Sequence, residues 1–354
     1  MATNRITVVL SQTRSKNPAK RHVEEEIATA LLLEPGIDFA VVPHVYDLYP
    51  GDTGLLYLSS LKGHLIFLSW LYPRAAHWVL DRNGIKGKEG TTLLKSLGEE
   101  EDEEEAGESG GESHGIGAAD VPDRHIFCLD LRAYEDPRVY VDEIRRLATE
   151  TSVKLVPLTG LVQSDPPAQP LQSLMSWMQG EPKSEQLQQF LEPKKNGPGL
   201  VVLGESQGHR WYPVIDYTRC TNCLECIDFC LFGVYGVDHR DTILVENQDN
   251  CKRGCPACSR VCPENAIIFP EHKLPAIAGA PGEGPGGLKI DLSKLFGAPS
   301  AVELAAQERD AELVKDGRQA VGLTVGIPKR QAGKAPQEKD DLDKLMDELD
   351  GLAI

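Results

Sequence analysis

The chain has 354 residues, 41% hydrophobic and 26% charged, a length and balance that suit a soluble protein of two domains plus tails. A formal charge of −17 argues against nucleic acid as a partner and against anionic membrane surfaces, since like charges repel. Met1 to Leu10 lacks the charged and long apolar regions of a secretion signal, and apolar stretches such as Leu65 to Tyr72 are too short to span a bilayer. The expectation is a cytoplasmic protein with no membrane span.

In chain order, residues 5 to 10 are apolar and β-branched and predict a buried strand. Asn17-Pro18 opens a helix whose inward face is Val23, Ile27, Ala30 and Leu31, and Glu34-Pro35-Gly36 ends it. Phe39 to Val42 is a second strand, followed by a helix from Leu55 to Leu61. Leu65 to Leu68 is a third strand, followed by a helix from Ala75 to Leu80. Strands alternating with helices at this interval predict an α/β domain, residues 1–163, with a parallel, doubly wound sheet.

Seven consecutive acids, Glu99 to Glu105, interrupt the pattern. Nothing apolar is available there to bury, so 97–121 reads as a disordered acidic insertion. Ile126 to Leu131 resumes as a strand, with Cys128 as a small core residue, followed by a helix over 137–150 and a strand from Val153 to Val156. Residues 164–199 read as a linker with short helices at Leu171 to Met178 and Gln186 to Leu191. Leu200 to Leu203 is an edge strand leading into the next domain, residues 200–272.

That domain holds eight of the nine cysteines. The first group reads Cys220-Thr-Asn-Cys223-Leu-Glu-Cys226-Ile-Asp-Phe-Cys230; the second reads Cys251-Lys-Arg-Gly-Cys255-Pro-Ala-Cys258-Ser-Arg-Val-Cys262. Cys223, Cys226 and Cys230 recur 32 residues later, so the block is an internal repeat. β-like runs flank both groups, Tyr212 to Asp216 and Thr242 to Glu246 before them, Gly233 to Tyr235 and Ala266 to Phe269 after them. Three thiolates on one curling loop suit three corners of an iron–sulfur cube, while a fourth, three residues on, points away.

The block resembles the bacterial-type ferredoxin domain that carries two 4Fe-4S clusters, over roughly residues 208–272. The resemblance implies a small α+β fold. It implies that Cys220, Cys223, Cys226 and Cys262 hold one cluster and that Cys251, Cys255, Cys258 and Cys230 hold the other. Two departures are visible: Leu231 stands where the family has proline, and Cys251 is separated from Cys255 by one extra residue. Zinc sites use two Cys pairs across a longer spacer, and eight thiolates at this density exceed what tetrahedral zinc needs. Disulfides require an oxidising compartment.

After Pro270 the Gly/Pro-rich run predicts a tether, and 273–354 reads as a flexible, acidic tail with helices at Val302 to Leu313 and Asp340 to Leu349. Leu342, Leu345, Met346 and Leu349 form a stripe suited to docking in a groove, on this chain or on a partner. In the α/β domain no Gly-x-Gly-x-x-Gly turn follows the first strand. Leu65 to Ile85 faintly resembles class II tetrapyrrole chelatases, but Ser11-Gln12 stands where that family has its metal-handling histidine, and only His77 matches. His22, His44 and His64 have no ligand spacing. Arg219, Lys252, Arg253 and Arg260 lie near the cysteines, as do Tyr217 and Tyr235, candidates to shield cluster edges.

The reading is an iron–sulfur, metal-binding electron-transfer protein, relaying single electrons through two 4Fe-4S clusters to or from a partner oxidoreductase. A redox enzyme whose α/β domain binds substrate is a second reading, and an adaptor with structural clusters a third. The residues themselves do no acid–base or nucleophilic chemistry on this reading; the cofactor carries the reaction.

Overall fold

The computed structural model describes residues 6–32, 34–97, 115–151, 208–281 and 299–326, together with the backbone of 201–202. The expected strand at Val153 to Val156, the linker helices, the acidic run and the stripe Leu342, Leu345, Met346 and Leu349 lie outside these residues. Among the described residues, no helix is long and apolar enough to cross a membrane.

Apolar runs without polar alternation form strands buried on both faces. They are β1 (Ile6–Ser11), β2 (Ile37–Val42), β3 (Leu65–Ser69) and β5 (His125–Asp130). Two short pairings, β4 (Lys88–Glu89) and β6 (Val201–Val202), extend the edges, giving the order β4-β5-β3-β1-β2-β6 with every pair parallel. β6 therefore joins the large sheet beside β2; it does not serve as a strand of the cysteine block.

Helices cover both faces. α1 (Pro18–Leu32) and α4 (Pro137–Thr151) pack Ile27, Leu31, Tyr140, Ile144 and Leu147 against Val8, Leu10, Ile66 and Leu129. On the other face, α2 (Thr53–Ser60) and α3 (Pro73–Arg82) cover Val9, Ala40, Phe67 and Cys128. Ala75 to Asp81 of α3 are all buried, because the helix has the sheet on one side and the cysteine block on the other. Tyr212, Val214, Ile268 and Ala278 of that block complete the same core.

The cysteine block contains two antiparallel pairs. β7 (Val214–Ile215) pairs with β10 (Ile267–Ile268), and β8 (Tyr235–Val237) pairs with β9 (Ile243–Val245). The strand before the first cysteine group thus pairs with the strand after the second. Short helices α5 (Glu225–Phe229) and α6 (Ala257–Val261) each sit within a cysteine group.

Two segments expected to be loose are built into this unit. The end of the acidic insertion hydrogen-bonds to the first cysteine loop: Gly115 N to Thr218 O at 3.1 Å, Ile116 N to Cys220 O at 2.8 Å and Gly117 N to Tyr217 O at 2.9 Å. Only glycine fits at 115, where a Cβ would lie 2.3 Å from the Thr218 carbonyl oxygen. The start of the expected tail forms α7 (Pro275–Ala278), with Ile277 and Ala278 buried. α8 (Ala301–Lys315) begins with a Ser300/Glu303 capping box and packs on α6 through Ala305.

Candidate metal centre

Each half of the cysteine block carries its ligand-type residues on the same backbone route: strand, curling loop, one and a half turns of helix, then a tight left-handed turn. Asn222 and Leu224 adopt positive φ, 56° and 63°, and curl the first loop so that Cys220, Cys223 and Cys226 face one side. In the second loop Gly254, at φ 87°, supplies the reversal and accommodates the extra residue before Cys255. Three residues after the last cysteine of each group the chain turns left-handed again, at Gly233 (φ 69°) and Asn265 (φ 49°).

Those last turns aim backbone N–H groups at sulfur. The amides of Phe232, Gly233 and Val234 favour the charged form of Cys230, and those of Glu264, Ala266 and Ile267 favour that of Cys262, whose sulfur accepts the Ala266 amide at 3.3 Å. Such a cluster of amide dipoles favours negative charge on the thiolate. Tyr235 Oη adds a donor 3.0 Å from Cys258 Sγ, and Trp211 Nε1 donates to the Cys255 carbonyl at 3.3 Å.

The thiols surround two separate, largely apolar cavities. Cys220, Cys223, Cys226 and Cys262 line the first, with Ile215, Leu224 and Ile243. Cys230, Cys251, Cys255 and Cys258 line the second, with Phe229, Val234 and Tyr235. Each cavity therefore combines three cysteines of one group with the last cysteine of the other. Among the described residues, no three His, Cys, Asp or Glu side chains converge as a single metal ion needs, with sulfur about 2.3 Å from zinc. A cube of iron and sulfide takes its thiolates at its outer corners, so thiols spaced around an apolar cavity fit it.

Burial pushes the thiols of Cys220 and Cys255 up to about 11, and it raises those of Cys226, Cys230, Cys251, Cys258 and Cys262 as well. A bound cationic centre would displace the protons these desolvated thiols hold. Cys128, the ninth cysteine, is buried in β5 and belongs to the sheet core.

Of the cations near the cysteines, Lys252 lines the second cavity and pairs with Asp316 at 2.6 Å. Arg260 pairs with Glu308 at 2.8 Å, Arg219 Nε lies 3.7 Å from Asp216, and Arg253 is exposed. Tyr217 packs edge-on against Trp78 with ring centroids 5.6 Å apart, between the block and α3. Arg309, from α8, also lines the second cavity. Nothing in its sequence setting announced that role, since a lone arginine in an acidic helix reads as a surface residue.

At the carboxyl edge of the sheet, the polar residues after the strands are engaged with the cysteine block. Arg14 makes a two-pronged ion pair with Asp47 and a second contact, 3.2 Å, with Glu271. Asp47 Oδ1 accepts the Arg210 amide at 2.8 Å, and His44 Nε2 lies 3.3 Å from Glu271. Burial drives His44 down to about 3, so it stays neutral. His64 Nδ1 accepts the His125 amide at 3.0 Å, and His22 is exposed beside Glu26. His77 is buried and packs edge-on against Trp78, in contact with the protein interior.

No family model matches the chain, and no solved structure matches it. An uncharacterized ferredoxin of Methanocaldococcus jannaschii is 50% identical over 66 residues, 18% of this chain and 44% of that protein. The chain thus spans less than half the length of that relative. The pyruvate synthase subunit PorD of the same organism is 32% identical over 71 residues, 20% of this chain and 80% of the subunit. By that stretch, about a fifth of its length, the chain belongs to the ferredoxin-type iron–sulfur family.

Proposed function

We propose that the chain is an electron carrier holding two 4Fe-4S clusters, one on Cys220, Cys223, Cys226 and Cys262 and the other on Cys251, Cys255, Cys258 and Cys230. The observation that carries this reading is the pair of four-thiol cavities, each completed by a cysteine from the opposite group. When bound, each cluster supplies a one-electron couple. The chain's own residues position the thiols, exclude water with Ile215, Ile243, Phe229 and Val234, and donate amide hydrogen bonds to sulfur. The relative named as a subunit of pyruvate synthase supports a partner oxidoreductase as the source or destination of the electrons.

The engaged carboxyl edge of the sheet favours the carrier over an enzyme with substrate in that place, because Arg14, His44 and Asp47 are already committed to Arg210 and Glu271. Anaerobically purified protein is expected to be brown, with about eight irons and eight inorganic sulfides per chain. Colourless, zinc-loaded protein would overturn the reading. A reversible potentiometric titration separates a carrier from an adaptor stapled by clusters that never change oxidation state.

Tyr235→Phe removes the hydroxyl 3.0 Å from Cys258 Sγ and little else. A donor to sulfur favours the more negative, reduced state. Its loss is expected to lower one of the two reduction potentials by the equivalent of about 1 kcal/mol, measured by titration followed by electron paramagnetic resonance (EPR).

A further inference from the structure

The two cavities have the same thiol count but different charged walls. Glu264 is the charged residue lining the first; Lys252 and Arg309 line the second. Arg309 is the more consequential cation because it is 1% exposed, where water screens least. Its guanidinium sits 4.5 Å from the Phe229 ring centre, directly before Cys230 in sequence, and donates to the carbonyls of Gly322 at 2.6 Å, Val325 at 3.0 Å and Phe229 at 3.5 Å.

The surrounding acids are placed differently. Asp310 takes Arg309 Nε at 3.1 Å and also the amides of Val321 and Gly322, and it is not among the residues lining the cavity. Glu308, Glu312 and Asp316 of the same helical region are paired with Arg260, Lys315 and Lys252. The cation therefore lines the cavity, and its counter-charge does not. A fixed positive end directed at the site stabilises added negative charge there.

We propose that Arg309 sets the reduction potential of the cluster held by Cys230, Cys251, Cys255 and Cys258, holding it above the value that the same thiols would give alone. This rests on the electron-carrier reading. A bound cluster would accept one electron from a low-potential one-electron donor, with no bond to the protein formed or broken, so the site would gain one negative charge. Arg309 lowers the energy of that added charge. α8, which follows the cysteine block in the chain, is thereby part of the redox site and makes the two couples unequal.

The test uses the full-length chain loaded anaerobically, with iron and sulfide assayed before each EPR-monitored titration. Hyperfine-shifted cysteine β-proton resonances assign each couple. Arg309→Met is expected to move the second cavity's couple negative, with about a tenfold change in its oxidised-to-reduced ratio at fixed potential, or about 59 mV for one electron. The other couple stays in place, and Arg309→Lys restores most of the shift. Asp310→Asn strips the counter-charge and is expected to move the same couple positive, which keeps the test open if the methionine variant does not load. Full loading with both couples unmoved in these variants overturns the role of Arg309, as does an equal shift of both couples. Parent protein without sulfide overturns the carrier reading instead.

Discussion

Alanine at Cys262 is expected to remove the cluster of the first cavity and spare the second, although Cys262 follows Cys258 by only four residues. Cys262 lines the first cavity with Cys220, Cys223 and Cys226, and its sulfur accepts the Ala266 amide at 3.3 Å. Cys258 lines the other cavity with Cys230, Cys251 and Cys255. Cys258 sits within α6, whereas Cys262 is its C-cap, extended at φ −65° and ψ 117°, where the chain leaves the helix. Iron and sulfide should fall from about eight to about four per chain, and the EPR signal arising from spin coupling between two reduced clusters should vanish. Cys230→Ala is expected to do the reverse, sparing the cluster on Cys220, Cys223 and Cys226. If Cys262→Ala instead released the cluster on Cys251, Cys255 and Cys258, each group would hold its own cube and the pairing proposed here would be wrong.

What could be read in the sequence follows from what periodicity reports. β1, β2, β3 and β5 are apolar runs bounded by turn residues, and α1 and α4 carry inward faces at helical spacing, so their existence and the parallel α/β arrangement were legible. β4 was not, because Lys88 and Glu89 are exposed and pair through the backbone alone. The segment 115–117 was hidden for the same reason: its attachment to the first cysteine loop uses amides and carbonyls, which carry no side-chain signal. The cysteine spacing marked the eight ligand-type residues, and the resemblance to the dicluster ferredoxin domain implied how they would be grouped. The contact between the block and the sheet was illegible, since its partners lie far apart in the chain. Tyr46 Oη accepts the Tyr212 amide at 2.7 Å, and Arg74 reaches Asp216; neither pair leaves a local pattern. Arg309 is the sharpest case, a buried cation on a helix whose neighbours Glu308, Asp310 and Glu312 all suggest a solvated face.

Asp216→Ala is expected to be the most damaging substitution outside the cysteines, and to act first on the first cavity. Asp216 is 1% exposed at the end of β7. Its Oδ2 lies 2.5 Å from Arg74 Nε, and its Oδ1 accepts the Thr218 amide at 2.9 Å and the Thr218 hydroxyl at 2.5 Å. Its backbone carbonyl accepts the Cys220 amide at 2.9 Å, so the residue sets where the first ligand loop begins. Arg74, from α3, also donates to the Asn265 carbonyl at 2.6 Å, just beyond Cys262. One arginine on the sheet side thus ties together both chain segments that bring thiols to the first cavity. Removing the carboxylate leaves a largely buried guanidinium without its counter-charge, at a cost of about 3 kcal/mol. Asp216→Asn keeps an acceptor for Thr218 and should cost about half as much. If the ion pair is absent when the site opens, anaerobic cluster loss in guanidinium should accelerate on the order of a hundredfold in the alanine variant. The first cavity's EPR signal should decay ahead of the second's. A rate within a factor of two of the parent, or simultaneous decay of both signals, would show that α3 does not brace this site. A double-mutant cycle with Arg74→Met isolates the pairwise contribution, because the alanine change should then add little to the damage already done.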